Sequence, residues 1–348
     1  MRRALLTAGV AAVTVLAAGC ASSNATAGSA PGSSPVTLRL GFLANITHEP
    51  ALVGLAKGFF TKDLGRNVTL KTTVFSSGTE ETTALLAGQL DAAYVGPNPA
   101  INAWHKSNGT AIKIISGAAS GGASLVVKKG ITSASQLKGK SLATPSLGNT
   151  QDVALRYWLK QHGLNTTPTG GGDVSIKPIK PNSAAVLEFA SGQIDGGWEP
   201  EPYATEMVLD GGARLVNEAS LWPGGKFVTT NLVVTQSFLA AHPSAVNGLL
   251  KAQIQANSYI NSNSTAAASA ANAELTRLLG KGLKPNVLSA ALPYITFTND
   301  PVASSLLTDA QHAVAAGLLS PVKNLSGIYD LGPLNALLKA DGQPQVSS

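Results

Sequence analysis

The stretches A-G-Q-L-D-A-A-Y-V-G-P-N-P-A (residues 87–100) and S-G-Q-I-D-G-G-W-E-P-E-P-Y-A (residues 191–204) are two copies of one pattern. The shared G-Q-x-D core recurs at an offset of 104 residues, and Tyr94 in the first copy is matched by Trp198 in the second. The same offset aligns strand-like and helix-like stretches upstream of both copies. A βαβαβ unit used twice predicts two similar lobes with a site between them.

Strand-like and helix-like segments alternate along both copies, which predicts an α/β fold with mainly parallel sheets flanked by helices. We predict strands at 37–43, 70–75, 92–95, 112–116, 141–143, 174–179 and 196–198, and helices at 49–60, 79–87, 99–104, 150–162, 183–191, 202–209, 243–262, 266–279, 302–317 and 331–338. The strand-like runs 123–127 and 230–235 fall where the chain would cross between the lobes, and they are the hinge candidates. Lobe 1 is therefore expected at residues 36–125 and 232–345, and lobe 2 at residues 126–231.

The composition fits an exported α/β protein and argues against one that binds nucleic acid. The 348 residues are 44% hydrophobic and 13% charged, with a formal net charge of +6. Lys and Arg occur as singles and pairs, without a basic block interleaved with aromatic residues. No nucleic-acid partner is therefore expected.

The N-terminal residues have the order of an export signal. A basic start precedes an apolar core at residues 4–18, which is too short to span a bilayer. The run L-A-A-G-C that ends at Cys20 resembles the lipobox of bacterial lipoproteins, with Ala17 at the place where Leu is commonest. We predict a signal peptide at 1–19, lipidation of Cys20, and a flexible tether at 20–35 that anchors the protein at the outer face of the cytoplasmic membrane. The alternative is an ordinary signal peptide followed by an incidental cysteine.

The loops that follow the carboxyl ends of the predicted strands are the candidate ligand site. They are rich in Ser, Thr, Asn and Gly and lead into helices, whose free N–H groups and dipoles favour an anion. The candidate ligand-binding residues in these loops are Asn45, His48, Ser77, Gly78, Thr79, Gly96, Asn98, Gly121, Ser146, Asn149 and Thr150. Each has a structural alternative, because Ser, Thr and Asn at such positions are typical helix caps and glycines there can simply form a turn.

Two further candidates, Trp198 and Glu199, end the repeated pattern in its second copy. The Trp198 ring either contacts a ligand or packs inside its lobe. Glu199 and Glu201 would repel an anion unless they are paired or turned away. A ligand that carries an amine besides its acidic group would reconcile these carboxylates with the polar loops.

The sequence contains no recognisable catalytic or metal-binding constellation. The single cysteine is assigned to lipidation, and the five histidines are dispersed without H-x-x-x-H spacing. Neither a G-x-S-x-G motif nor a phosphate-binding G-x-x-x-x-G-K-[ST] motif is present. We therefore expect no enzymatic activity, no cofactor and no metal.

Several segments resemble the substrate-binding proteins of ABC transporters, and more narrowly the aliphatic sulfonate, taurine and nitrate binding group. They are L-R-L-G-F-L-A-N-I-T-H-E-P-A (38–51), G-Q-L-D-A-A-Y-V-G-P-N-P-A-I-N-A (88–103), G-K-S-L-A-T-P-S-L-G-N-T-Q-D-V-A (139–154) and G-Q-I-D-G-G-W-E-P-E-P-Y (192–203). The resemblance implies a periplasmic-binding-protein-like fold of type II, in which two lobes close on a small-molecule ligand. It further implies a monomer that delivers this ligand, above all an aliphatic sulfonate or taurine-like compound, to an ABC permease with a cytoplasmic ATPase.

The resemblance leaves alternatives open, because the same scaffold also serves nitrate, pyrimidine precursors and flavins. A sensory module that passes its ligand to a membrane receptor would have the same sequence features. An enzyme on this scaffold is the remaining alternative, although the pyrimidine-synthesis relatives carry a cysteine-rich motif that this chain lacks.

Overall fold

A computed structural model describes residues 35–322 and 325–348, in which two mixed sheets are flanked by helices. The signal peptide, Cys20 and nearly all of the tether predicted from the sequence lie outside the described residues. The strands are β1 Val36–Leu43, β2 Val68–Phe75, β3 Ala92–Val95, β4 Ile112–Gly121, β5 Ala123–Lys128, β6 Ser141–Thr144, β7 Ser175–Pro178, β8 Gly196–Pro200, β9 Gly212–Asn217, β10 Val228–Thr235 and β11 Ile295–Phe297. The first sheet has the order β11-β4-β10-β3-β1-β2, and the second has the order β7-β6-β8-β5-β9.

The helices begin with residues that suit a helix N-terminus. Ser77 and Asn149 cap two of them through side-chain oxygens, and Pro97 stands at the first position of a third. The helices are α1 Glu49–Ala56, α2 Phe59–Leu64, α3 Gly78–Leu86, α4 Pro97–Lys106, α5 Thr150–Gln161, α6 Asn182–Ala190, α7 Tyr203–Leu209, α8 Gln236–Ala241, α9 Pro243–Ser262, α10 Ser264–Leu279, α11 Pro285–Ala291, α12 Ala303–Ala315 and α13 Gly332–Ala340. Short 3-10 turns stand at Ile46–His48, Ala134–Leu137, Glu218–Leu221, Pro223–Gly225 and Leu292–Tyr294.

Each sheet contains one strand that arrives from the other half of the molecule. In the first sheet, β10 lies between β3 and β4 and is antiparallel to both. In the second sheet, β5 lies between β8 and β9 and is antiparallel to both. The chain crosses between the lobes at the carboxyl ends of the neighbouring strands. Each crossing strand therefore begins where its neighbours end and runs antiparallel to them. The predicted α/β fold of two sheets flanked by helices is confirmed. In each sheet most strands run in the same direction, and the reversed strands are β10 and β11 in the first sheet and β5 in the second.

The two crossings between the sheets are short and lie side by side. The chain leaves the first sheet after Gly121 and enters the second at Ala123, and it returns between Asn217 and Val228. The Thr229 hydroxyl donates to the carbonyl of Gly121, which joins the two crossings. We call the first sheet with α1–α4, α8–α10, α12 and α13 the first lobe, and the second sheet with α5–α7 the second lobe.

The repeat seen in the sequence is a repeat of structure. Helix α3 at Gly78–Leu86 and helix α6 at Asn182–Ala190 match residue for residue at the offset of 104. The glycine of each G-Q-x-D core ends its helix with a positive φ, +67° at Gly88 and +79° at Gly192. The G-Q-x-D core therefore forms a structural joint between a helix and the following strand.

Each sheet is covered by apolar side chains on both faces. On the first sheet, one face packs Phe42, Tyr94 and Leu232 against α1, α9 and α10, and the other packs Ile114 in a cluster with α12 and with α4, which contributes Ile101. The second sheet packs Trp198 on one face and Phe189 on the other. These cores hold the strand ends of the two lobes in fixed positions.

The observed elements differ from those predicted from the sequence in several places. The helix predicted at 49–60 breaks at Gly58, where φ is +69°, and continues as α2. Strand β9, strand β11 and helix α11 were not predicted. Because β9 and β11 lie at sheet edges, they are partly exposed and lack the continuous apolar run that marks a buried strand.

Candidate functional site

The strand ends of the two lobes meet in a cleft that is closed in this structure. Thr79 Oγ1, at the start of α3, donates to Ser146 Oγ in the loop after β6 at 3.2 Å. Gly96, at the end of β3, lies so near α5 that a methyl group on its Cα would stand 2.5 Å from Thr150 Oγ1. Four predicted site residues are thus brought into contact between the lobes.

Two further contacts join the lobes at the same edge. The Tyr203 hydroxyl of the second lobe donates to the carbonyl of Ala44 in the first at 3.4 Å. Lys180, before α6, forms an ion pair with Glu80 on α3. The cleft is therefore closed by polar side chains from both copies of the repeat.

Three predicted site residues act as helix caps, as their structural alternative proposed. The side-chain oxygens of Asn45, Ser77 and Asn149 accept the backbone N–H groups of Thr47, Glu80 and Asp152, respectively, at 2.9, 3.4 and 3.0 Å. All three side chains are buried at the closed cleft. They fix the helix N-termini there, and a ligand would meet the N–H groups of those helices.

His48 lies at the cleft as a neutral ring. Its Nδ1 accepts the backbone N–H of Leu43 at 3.2 Å, so the ring proton is placed on Nε2. Burial lowers the pKa of His48 to about 3. This histidine can therefore donate a hydrogen bond to an anion at neutral pH, but it carries no positive charge.

Gly78 and Gly121 permit close backbone contacts. A methyl group on Gly78 would lie 3.0 Å from the ring of Pro99, so this glycine allows α3 and α4 to pack closely. Gly121 has a φ of +78° and would place a methyl group 2.6 Å from the carbonyl oxygen of Tyr294. Both glycines shape the walls of the cleft.

The two carboxylates that end the second copy have different roles. Glu201 pairs with Arg214 at 2.6 Å and accepts the backbone N–H of Thr205 at 3.1 Å. Glu199 accepts only the Asn182 amide at 3.0 Å, and its Oε1 is buried without a partner among the described residues. Burial raises the pKa of Glu199 well above its usual value, although the Asn182 amide opposes this. Of the two carboxyl groups, Glu199 is therefore the one with an oxygen, Oε1, that could form a hydrogen bond with a ligand.

Trp198 and Tyr94 lie inside their lobes and not beside the cleft. The Trp198 ring is fully buried against Trp158, and its Nε1 donates to Glu218 Oε2 at 2.6 Å. The hydroxyl of Tyr94 donates to the Gln253 side chain at 2.6 Å in the first core. The structure therefore places the Trp198 ring on the core face of β8, as its structural alternative proposed.

Asn98 turns away from the second lobe. Its amide nitrogen donates to the backbone carbonyl of Asp309 on α12 at 3.3 Å, and its Oδ1 has no partner among the described residues. Asn98 therefore ties α4 to α12, behind the first turn of the helix that faces the cleft.

Sequence reasoning missed two polar residues on the returning strand. Thr230 Oγ1 is buried without a partner among the described residues, and so are Nδ2 and Oδ1 of Asn231. They follow Thr229 at the crossing, where β10 passes the end of β3 at Val95. The signal available in the sequence is the run of three polar residues at the start of an otherwise apolar strand.

Cations near the cleft are already paired with carboxylates. Lys180 is paired with Glu80, and Arg214 with Glu201. The residues described by the structure contain no group of His, Cys, Asp and Glu that could hold a metal ion. Within the same described ranges, no helix is long and apolar enough to cross a membrane. The cleft thus offers helix N–H groups, hydroxyls, a neutral imidazole and the unpartnered Oε1 of Glu199.

The chain is similar in sequence to one protein family and to named binding proteins. A model of the NMT1-like family matches residues 32–274. A protein of Brucella abortus (strain 2308), named as a binding protein, is 26% identical over 231 residues, which are 66% of this chain and 68% of that protein. The taurine-binding periplasmic protein of Escherichia coli (strain K12) is 27% identical over 208 residues, which are 60% of this chain and 62% of that protein.

The fold is shared with solved structures of binding proteins. The alkanesulfonate-binding protein of Xanthomonas axonopodis pv. citri, bound to MOPS, superposes with a TM-score of 0.67 at 18% identity, over 83% of this chain and 96% of that chain. Both the two-sheet architecture and the closed cleft between the lobes fit this fold.

Proposed function

The chain belongs to the NMT1-like family, and we propose that it is an extracytoplasmic solute-binding protein that delivers a small organic acid to an ABC importer. The names of the relatives described above support binding and not catalysis. The observation that carries the proposal is the meeting of the polar strand ends of both lobes, with Thr79 Oγ1 donating to Ser146 Oγ. In such proteins a ligand held between two lobes favours the closed arrangement.

The proposed ligand is an aliphatic sulfonate that also carries an amine, with taurine as the reference compound. The N–H groups of the helix N-termini and the hydroxyls would donate hydrogen bonds to the sulfonate, which would then need no Lys or Arg beside it. The positive charge of the amine would favour the ionised form of Glu199, and the unpartnered Oε1 would then accept a charge-assisted hydrogen bond from it. Nitrate lacks the amine, so it would leave Glu199 unused.

Ligand binding is tested by thermal unfolding in the presence of taurine, ethanesulfonate and nitrate. A ligand at a hundredfold excess over its Kd stabilises the folded protein by about 2.7 kcal/mol, which is measured as a rise in Tm. We expect the largest rise with taurine. If none of the three compounds raises the Tm, the proposed ligand class is wrong.

The role of the carboxyl is tested with Glu199→Gln. We expect this change to weaken taurine binding by about tenfold or more, because a hydrogen bond to a charged group is lost. Binding of ethanesulfonate, which lacks the amine, should be unchanged, as measured by calorimetry. Glu188→Gln on the same lobe is the matched control, and it should bind both compounds as the unchanged protein does. If Glu199→Gln weakens the binding of taurine and ethanesulfonate equally, the amine of taurine does not bind at Glu199.

We also propose that Cys20 carries the lipid anchor of an exported protein. The lipobox-like run before it supports this. Metabolic labelling with a fatty acid should label the protein, and Cys20→Ala should abolish the label. Labelling that persists in Cys20→Ala would contradict the anchor.

A further inference from the structure

A cavity is lined by residues other than those of the cleft, beginning at Ala154 on α5. It has a volume of about 880 Å³, within the range of small-molecule sites, and we call it the rear cavity. One wall is formed by α5 and residues 218–226 of the second lobe, and the other by residues 300–312 of the first lobe. None of the candidate cleft residues lines it.

Aromatic rings from both lobes form the walls of the rear cavity. Tyr157 of α5 stacks on His312 of α12 with 3.6 Å between ring centroids and 15° between planes. The Trp222 ring lies 5.5 Å from the same histidine, and Trp158 lies 4.1 Å from His162. Five rings in one cavity provide π faces on more than one side.

The ionisable side chains of the rear cavity favour a positive occupant. Glu218 is fully buried in the wall, and Asp300 lies at the exposed rim. Burial lowers the pKa of His312 to about 4, so its ring is neutral at pH 7. Lys226 is the lining residue with a lasting positive charge, and it is exposed, so its amine can extend into solvent.

Glu218 is held in place by another buried side chain. Its Oε2 accepts the indole Nε1 of Trp198 at 2.6 Å, which fixes the carboxyl in the wall. Burial raises the pKa of Glu218 to about 7, with hydrogen bonds from the indoles of Trp198 and Trp222 opposing it. A cation beside it would favour the ionised form.

Two exposed leucines line the rear cavity. Leu221 is 49% exposed and Leu307 is 44% exposed, and they stand on the two lobes. Exposed leucines around an aromatic cavity provide a surface that a planar ring can cover.

We propose that the rear cavity binds a planar aromatic cation, with its ring against Trp222 and its charge toward Glu218. Cations are attracted to the faces of aromatic rings, most of all Trp, and this attraction is larger when water is excluded. The site is separate from the proposed ligand cleft, and its occupant would contact both lobes.

The proposal is tested by calorimetry of the full chain with phenyltrimethylammonium. We expect one molecule to bind with a Kd below about 1 mM. Tetramethylammonium, which lacks the ring, and benzenesulfonate, which carries the opposite charge, are the matched probes, and we expect neither to compete with phenyltrimethylammonium.

Two substitutions locate the binding. Trp222→Ala should weaken phenyltrimethylammonium binding by about tenfold or more, and Glu218→Gln by roughly 3- to 30-fold. Trp104→Ala removes a tryptophan that does not line the rear cavity and should leave the Kd unchanged. Thermal unfolding of each variant alone shows whether it is folded.

Three outcomes would overturn the proposal: no heat with phenyltrimethylammonium, equal competition by benzenesulfonate, or full binding to a folded Trp222→Ala variant. None of these concerns the cleft, because taurine binding and its dependence on Glu199 are measured separately. The two proposals can therefore fail independently.

Discussion

At the scale of single residues, Gly96 is the position where the closed cleft leaves no room for a side chain. A methyl group there would meet Thr150 Oγ1 at 2.5 Å, and Thr150 itself is buried. Gly96→Ala should therefore oppose closure at a cost of about 1–3 kcal/mol. We expect taurine to bind about tenfold more weakly or worse, as measured by calorimetry.

Gly332→Ala provides the control for this prediction. Its added methyl group would lie 3.6 Å from the nearest atom, Asp330 Oδ1, and far from the cleft in the chain. We expect this variant to bind taurine as the unchanged protein does. Normal binding by Gly96→Ala would show that the ligand does not require contact between Gly96 and Thr150.

Replacement of Glu201, unlike that of Glu199, should lower the stability of the fold and leave the ligand preference unchanged. Its carboxylate is fully buried and paired with Arg214, so Glu201→Gln leaves a mostly buried guanidinium without its partner. We expect the free energy of unfolding to fall by about 3 kcal/mol, as measured with urea. The preference for taurine over ethanesulfonate should persist, and its loss would place Glu201 in the ligand site instead.

Which residues face the cleft could be predicted from sequence only in part. The loops after the strands were predicted to meet, because strand ends share one edge in any such sheet, and Thr79 with Ser146 and Gly96 with Thr150 do lie in contact. The side-chain orientation was not predictable for Trp198, since a shift of one position along a strand moves a ring from one face to the other. Thr230 and Asn231 were missed because their strand enters the first sheet from the other lobe.

At the scale of elements, the aspartates of the two G-Q-x-D joints make the same kinds of contact, but the partner of the first is an arginine and that of the second is a lysine. Asp91 accepts the backbone N–H and the guanidinium of Arg39, with contacts of 2.5–2.8 Å. Asp195 accepts the backbone N–H of Ser141 at 3.0 Å and pairs with Lys128 at 3.2 Å. Each aspartate thus joins the start of one strand to its parallel neighbour.

This difference predicts unequal losses of stability. Asp91→Asn should lower the free energy of unfolding by about 1.5–3 kcal/mol, because it weakens a bidentate contact with an arginine. Asp195→Asn should cost less, since its partner is a single, partly exposed lysine amine. Urea unfolding of both variants measures the difference, and an equal or larger loss for Asp195→Asn would contradict it.

The sequence predicted the repeated elements well, and it also predicted the long helix α9 outside the repeat, whose apolar spacing runs over five turns. Helices α3 and α6 were each predicted within one residue because the glycine after each helix and the apolar spacing recur. Strand β9 and helix α11 have no counterpart in the repeat, and their short or mixed patterns resemble loops. Duplication therefore supplies information that a single copy lacks.

At the scale of the whole molecule, buried carboxyl groups should make stability depend on pH. Burial raises the pKa of Glu49 to about 8 and of Glu218 to about 7, and raises that of Glu81 well above its usual value. The folded protein then holds protons that the unfolded chain releases, so stability falls as pH rises toward these values. His48 and His312, with pKa values lowered to about 3 and about 4, have the opposite effect, but only below pH 6.5.

Stability should therefore decrease from pH 6.5 to pH 8, and Glu81 is the group best suited to test this. Neither of its carboxyl oxygens has a partner among the described residues, and it is fully buried one turn into α3. Glu81→Gln removes the titrating group, so the slope of unfolding free energy with pH should become shallower by up to about 1.4 kcal/mol per pH unit. The neighbouring variant Glu80→Gln serves as the control, because Lys180 lowers the pKa of Glu80 and keeps it ionised throughout this range. Glu80→Gln should shift the urea midpoint equally at both pH values, and a slope unchanged by Glu81→Gln would mean that this carboxyl is not held protonated in the folded protein.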